Sequence, residues 1–129
     1  MNSKPVGAVR VLVVDDNMVN RRVAERLLLR LGVTVDAVSN GRDALEAVRK
    51  TEYSLVLMDL EMPEMDGYEV ARQLRRLTGA GLPIVACSAW AAGDEGGLHR
   101  RAGMDDYLSK PLTVESLTSL LERWIPDLP

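Results

Sequence analysis

Five side chains carry groups suited to cation or phosphoryl chemistry: Asp15, Asp16, Asp59, Ser88 and Lys110. Each stands where an apolar run ends. Val11-Leu12-Val13-Val14 runs into Asp15-Asp16, Leu55-Val56-Leu57-Met58 into Asp59, and Ile84-Val85-Ala86-Cys87 into Ser88. The run from Asp105 to Leu108 leads through Ser109 to Lys110. A continuous apolar run reads as a strand buried on both faces of a parallel sheet. An unpaired charge inside such a strand is very costly, so these carboxylates belong at the carboxyl ends, where open α/β sheets bind ligands. Taken alone, Asp59 reads equally well as a helix cap or a surface aspartate. Three carboxylates, a hydroxyl and an ammonium on one sheet edge form a site. Crowded carboxylates repel unless a divalent cation neutralises them, and Mg²⁺ suits one or two carboxylates with waters and a phosphate oxygen. A carboxylate beside such a cation and a lysine can attack phosphorus. Phosphoryl transfer asks mainly for positioning and charge neutralisation. Asp59 is then the nucleophile, Lys110 the counter-charge, and Ser88 a hydroxyl for a phosphoryl oxygen. The crowding also predicts that Asp16→Asn raises stability without metal while weakening Mg²⁺ binding.

The elements that must position these groups alternate regularly. Strands are expected over 9–14, 33–38, 53–58, 84–87 and 105–108. Between the first two, Val19, Val23, Leu27, Leu28 and Leu31 mark a helix with one buried stripe, ended by Gly32. Ser39 or Asn40 can cap a second helix to about Lys50, with Ala44, Leu45 and Val48 inward. Pro63 and Asp66-Gly67 punctuate a loop. A third helix runs over 67–77, with Val70, Ala71, Leu74 and Leu77 inward and Arg72, Arg75 and Arg76 outward as a solvated face. Thr78 to Pro83 is a glycine-rich loop. The segment 90–103 is expected to be helical by alternation. Gly93, Gly96 and Gly97 each cost about 1 kcal/mol relative to Ala, which predicts a short, late-starting or mobile helix. Thr113 can cap the last helix, whose inward stripe is Val114, Leu117, Leu120, Leu121 and Trp124. Strand–helix alternation with short loops predicts an α/β fold, a parallel sheet covered by helices on both faces, with right-handed crossovers.

Composition narrows the class. The 129 residues suffice for one domain with a core, and neither a repeat nor a second domain appears. The 47% hydrophobic fraction argues against disorder, and the absence of Phe leaves Val, Leu, Ile, Ala and Met to fill the core. A net charge of −3 argues against a nucleic-acid binder. Cys87 is the only cysteine, so no internal disulfide is possible, and it reads as a small core residue. No stretch approaches a membrane span, Met1 to Ala8 lacks a signal-peptide core, and the expected compartment is the cytoplasm.

The stretches Val11-Leu12-Val13-Val14-Asp15-Asp16-Asn17 and Met58-Asp59-Leu60-Glu61-Met62-Pro63-Glu64-Met65-Asp66-Gly67 resemble the receiver domain of two-component response regulators. So do Pro83-Ile84-Val85-Ala86-Cys87-Ser88-Ala89 and Ala102-Gly103-Met104-Asp105-Asp106-Tyr107-Leu108-Ser109-Lys110-Pro111. The resemblance spans roughly residues 9 to 125, in register. It implies a (βα)5 flavodoxin-like, doubly wound sheet of order 2-1-3-4-5 and a single receiver domain over 1–129. It implies that Asp59 accepts phosphate from a histidine kinase or histidine phosphotransfer protein. Mg²⁺ would be held by Asp16, Asp59 and the Glu61 backbone carbonyl, with Asp15 acting partly through water. Ser88 and Tyr107 would be the switch pair, changing a downstream protein partner's affinity for the face of the fourth helix, fifth strand and fifth helix. The Lys110–Pro111 peptide would be cis. Such a domain catalyses only its own phosphotransfer and dephosphorylation, without direct nucleic-acid contact or membrane insertion, as a monomer or weak dimer. Asp15-Asp16-Asn17-Met18-Val19-Asn20-Arg21 resembles receivers of hybrid sensor kinases, so a free-standing and an excised receiver both fit.

Trp90, two residues after Ser88, departs from the usual pattern. It reads either as a gate on water or donor access that alters phosphate lifetime, or as a surface tryptophan without a kinetic role. Three other functions are weaker. A phosphate-independent interaction module need not keep all five chemical positions. A haloacid dehalogenase-like enzyme wants a second aspartate two residues after the first, where this chain has Glu61. A nucleotide-binding fold wants a glycine-rich loop after the first strand. His99 is a lone histidine and a poor phosphodonor.

Overall fold

The computed structural model describes residues 9–63, 66–89 and 102–126. Five parallel strands form one sheet: β1 (Arg10–Val14), β2 (Thr34–Val38), β3 (Leu55–Asp59), β4 (Ile84–Ser88) and β5 (Asp106–Ser109). Their order is β2-β1-β3-β4-β5, as expected for a flavodoxin-like doubly wound sheet. The helices are α1 (Met18–Arg30), α2 (Gly41–Lys50), α3 (Gly67–Thr78) and α4 (Val114–Trp124), with a 3₁₀ turn at Gly79–Gly81. The helix expected over 90–103, with Trp90, Gly93, Gly96, Gly97 and His99, lies outside the described residues up to position 101.

The central strands are continuously apolar because both faces are covered. Leu12, Val14, Val56, Met58, Ile84 and Ala86 face one core with Val70, Ala71 and Leu74 of α3. The alternate residues Val11, Val13, Leu55, Leu57, Val85 and Cys87 face a second core with Ala24 and Leu28 of α1 and Leu117 and Leu120 of α4. The period-two alternation within each strand thus feeds two helix layers.

Caps fix where the helices begin. Asn17, Asn40, Asp66 and Thr113 each accept a backbone N–H from the first turn of the following helix. Thr113 and Ser116 close a reciprocal capping box. These contacts pin each helix start to the end of a strand–loop connection, which is where the functional groups lie.

Two expected stripes are corrected. On α1, Leu28 is buried as expected, but Val19 and Val23 are exposed and Ala24, not in the expected stripe, is buried. Leu27 and Leu31, also expected inward, are partly buried against the same core, so the stripe loses only its two N-terminal valines. On α3, Leu77 is exposed in the last turn, one residue before the helix ends. Arg75, expected on the solvated face, folds back against the strand connections.

Gly67 opens α3 under the tip of β3. A Cβ built there would lie 2.8 Å from the Asp59 carbonyl oxygen and 3.2 Å from Leu60 Cδ2. Backbone cannot yield as a flexible side chain does, so Gly67→Ala should cost about 1–3 kcal/mol. Denaturant unfolding checks this; an unchanged midpoint would mean α3 can shift away from β3.

Candidate functional site

At the carboxyl edge of the sheet the order reverses between β1 and β3, and the two strands end in Asp15 and Asp59. Asp15, Asp16 and Asp59 each place a carboxylate oxygen within 4.8 Å of the others. Asp59 is 3% exposed and Asp15 6%, whereas Asp16 faces solvent. Lys110 reaches in from beyond β5. Its Nζ lies 2.7 Å from Asp59 Oδ1 and 3.6 Å from both Asp15 Oδ2 and Glu61 Oε1.

Backbone groups hold this arrangement. Asn17 N–H donates to Asp15 Oδ1 and Glu61 N–H to Asp59 Oδ1. The Lys110 N–H donates 2.7 Å to the Ser88 carbonyl, which fixes the lysine's chain position beside β4. The peptide that follows, Lys110–Pro111, is cis. Ser88, also 3% exposed, ends β4 on the same edge, and Tyr107 is half-buried one strand further out. The Glu61 side chain, which motif reasoning left unassigned, accepts the Ala89 N–H at 3.1 Å and joins the β3 and β4 loops. A cavity of about 360 Å³ opens from Asp15, Asp59 and Lys110 toward Val23, Ala24 and Leu112. Cys87 lines it, but burial pushes its thiol up to about 12, so it is unreactive as a nucleophile and acts as a small core residue.

The electrostatics follow the geometry. Burial raises the Asp15 pKa, the Asn17 N–H opposes it, and the Asp59 charge raises it further. Burial alone would depress the Lys110 ammonium, but its hydrogen bond to Asp59 and the charges of Asp59, Asp15 and Glu61 outweigh that and hold it raised. The Lys110 ammonium therefore faces several carboxylates, and the buried Asp15 feels both the loss of water and the charge of Asp59. A carboxyl raised in the fold contributes stability below its unfolded value of 3.8 and loses it as pH rises through the raised value. Asp15→Asn should therefore gain stability over wild type without Mg²⁺ as pH climbs above 3.8 toward neutrality. Thermal unfolding across that range in chelator tests this, and a gap that closes with rising pH would contradict the repulsion.

The donor set fits a hard divalent cation: carboxylate oxygens gathered at the ends of two strands, accessible through exposed Asp16. A doubly wound sheet with a buried aspartate, two acidic neighbours and a lysine at its switch point has the acidic pocket typical of a phosphoacceptor site. The model of the response regulator receiver domain matches residues 11–122, so the chain belongs to that family. It is not a conventional enzyme but a two-component receiver with an acidic phosphorylation site. It is 40% identical over 121 residues to the sensor histidine kinase GacS of Pseudomonas protegens, covering 91% of this chain and 13% of that protein. The chain thus spans about an eighth of that relative's length. The receiver domain of the sensor histidine kinase PA1611 from Pseudomonas aeruginosa, solved with a magnesium ion in its active-site cleft, has a TM-score of 0.82. It is 37% identical, with 92% of this chain and 98% of that one covered. The receiver domain of Ssk1 from Saccharomyces cerevisiae, co-crystallised with the histidine phosphotransfer protein Ypd1, has a TM-score of 0.81. Its identity is 26%, covering 94% and 91% of the two chains. Among the described residues no helix is long and apolar enough to cross a membrane.

Proposed function

We propose that Asp59 accepts a phosphoryl group from a phosphohistidine of a histidine kinase or histidine phosphotransfer protein. The observation that carries this reading is the 2.7 Å Lys110–Asp59 pair set beside Asp15 and Asp16. It supplies a nucleophile, a fixed positive charge and a cation site at one point. Bound Mg²⁺ would neutralise phosphoryl oxygens, held by Asp16, Asp59 and the Glu61 backbone carbonyl, with Asp15 partly through water. An Asp59 carboxylate oxygen attacks phosphorus, the P–N bond to the donor imidazole breaks, and its electron pair returns to the nitrogen. Lys110 stays paired with the oxygens that gain charge. The Ser88 hydroxyl donates to a phosphoryl oxygen, and Tyr107 turns inward behind it. That movement changes the face made by the helix expected over 90–103 together with β5 and α4, and with it the affinity of a downstream protein. The chain as a whole, residues 1–129, is one such domain working in the cytoplasm as a monomer or weak dimer. Magnesium in the PA1611 receiver and the Ypd1 complex of the Ssk1 receiver support this reading.

The experiment is intact mass after incubation with a small acyl phosphate, with and without Mg²⁺, alongside Mg²⁺ titration. One phosphoryl adduct, formed only with Mg²⁺ and mapped to Asp59, is the expected result. No adduct despite Mg²⁺ binding would point to a blocked site, with Trp90 the first residue to replace. Neither adduct nor Mg²⁺ binding would make the domain a phosphate-independent interaction module.

A further inference from the structure

At the opposite edge of the sheet, Arg75 spends every N–H of its guanidinium. Nε and Nη2 donate to the Gly103 carbonyl at 3.0 and 2.5 Å. Nη1 donates to the Gly79 and Leu82 carbonyls, both at 2.8 Å. The second Nη2 hydrogen meets Asp105 Oδ2 at 2.6 Å. All five donors of the group are thereby satisfied, by the segment entering β4 and the segment entering β5. Asp105 extends the connection, since its Oδ2 also accepts the Ile84 N–H at 2.8 Å while its own N–H donates to the Ile84 carbonyl at 2.7 Å. A side chain thus completes the β4–β5 ladder just before paired backbone begins at Val85 and Asp106.

These strands carry Ser88 and Lys110 at their far ends. β5 is a four-residue strand at the sheet edge and only half-buried. Its register is weakly specified by packing, and a slip of one residue turns every side chain to the other face. Lys110 lies five residues beyond Asp105, roughly 16 Å along an extended chain.

We propose that Arg75 and Asp105 form a register lock that sets where Lys110 sits over Asp59, making Arg75 a positioning residue for phosphorylation although it never approaches the site. This rests on Asp59 being the phosphoacceptor. A lysine cannot replace Arg75, because an ammonium is a point donor and cannot fan across four acceptors. Asp105→Asn keeps an acceptor for Ile84 N–H, whereas Asp105→Leu keeps none.

The test compares full-length wild type, Arg75→Met, Arg75→Lys, Asp105→Leu and Asp105→Asn at a temperature where circular dichroism shows each folded. Phosphorylation rate with saturating small acyl phosphate is read by intact mass, beside Mg²⁺ affinity. The lock predicts rates about tenfold lower for Arg75→Met, Arg75→Lys and Asp105→Leu, a part of the roughly hundredfold that a 1 Å misplacement can cost. Asp105→Asn stays within about twofold, and Mg²⁺ affinity is unchanged throughout because its carboxylates follow β1 and end β3. Lower melting temperatures with wild-type rates in the folded variants would make Arg75 merely stabilising and overturn the proposal.

If Arg75→Met does not fold, Asp105→Leu decides by hydrogen exchange, which needs no phosphodonor. Faster exchange of the Lys110 amide, with β1 and β3 amides unchanged, supports the lock; unchanged exchange at Lys110 overturns it. Wild type that takes no phosphate would instead defeat the assignment of Asp59, and the amide measurement would still decide the lock.

Discussion

Asp59→Asn should yield a folded protein that takes no phosphoryl group from any donor, a complete loss rather than a slowed reaction. The amide is nearly isosteric with the carboxylate, so the end of β3 and the Glu61 N–H contact to Oδ1 can persist. The amide oxygen is too weak a nucleophile to open a P–N or acyl P–O bond. Removing one charge from the three-carboxylate cluster should also weaken Mg²⁺ at least about tenfold, some 1.4 kcal/mol. Intact mass and calorimetric titration on the same sample read both effects. An adduct on the variant would move the acceptor to Asp15 or Asp16. Unchanged Mg²⁺ affinity would take Asp59 out of the cation site.

Lys110→Ala carries the second large effect, on rate and on stability together. The ammonium is a preorganised charge 2.7 Å from Asp59, the proposed nucleophile. Loss of such a group typically slows a reaction about 10²–10³-fold. In the resting protein it is the cation that offsets buried Asp59 and Asp15. Breaking a buried pair costs about 3–5 kcal/mol, and the 18% exposure of the Lys110 side chain places this case near the lower end. Mg²⁺ should return part of that loss, because a second cation can neutralise the same oxygens. The check is urea unfolding with chelator and with Mg²⁺, beside the phosphorylation rate. A variant as stable as wild type in chelator would mean that Lys110 does not offset the buried carboxylates. The sign agrees with the raised Lys110 pKa: its stabilisation is complete below the free value of 10.5 and fades as pH rises through the raised one.

Much of this protein is written locally. Apolar runs ending in Asp15, Asp59 and Ser88 place the strands, because a charge cannot stay inside a doubly covered sheet. Asn40 and Thr113 mark helix starts, because each can accept an amide hydrogen that the first turn leaves unpaired. The candidate site was legible for the same reason: parallel strands put all their carboxyl ends on one edge, so residues far apart in sequence meet without knowledge of the packing.

What depends on distance in three dimensions stayed hidden. Apolar residues on α1 extend beyond the face that packs, and only the seating of the helix on the sheet buries Ala24 and Leu28 while leaving Val19 and Val23 outside. Glu61 shows nothing in its neighbours of its bond to the Ala89 N–H. Asp15 and Asp16 look alike in sequence, yet one is buried and the other exposed, and only the fold shows which. Arg75 is the clearest case. Its helical position reads as solvated, but most of its acceptors are backbone carbonyls, which every residue possesses and no residue type announces. Strand ends and caps are fixed by side-chain chemistry that the sequence states outright. The placement of Arg75 follows from where the tertiary fold gathers the Gly79, Leu82 and Gly103 carbonyls, and only the assembled sheet decides that.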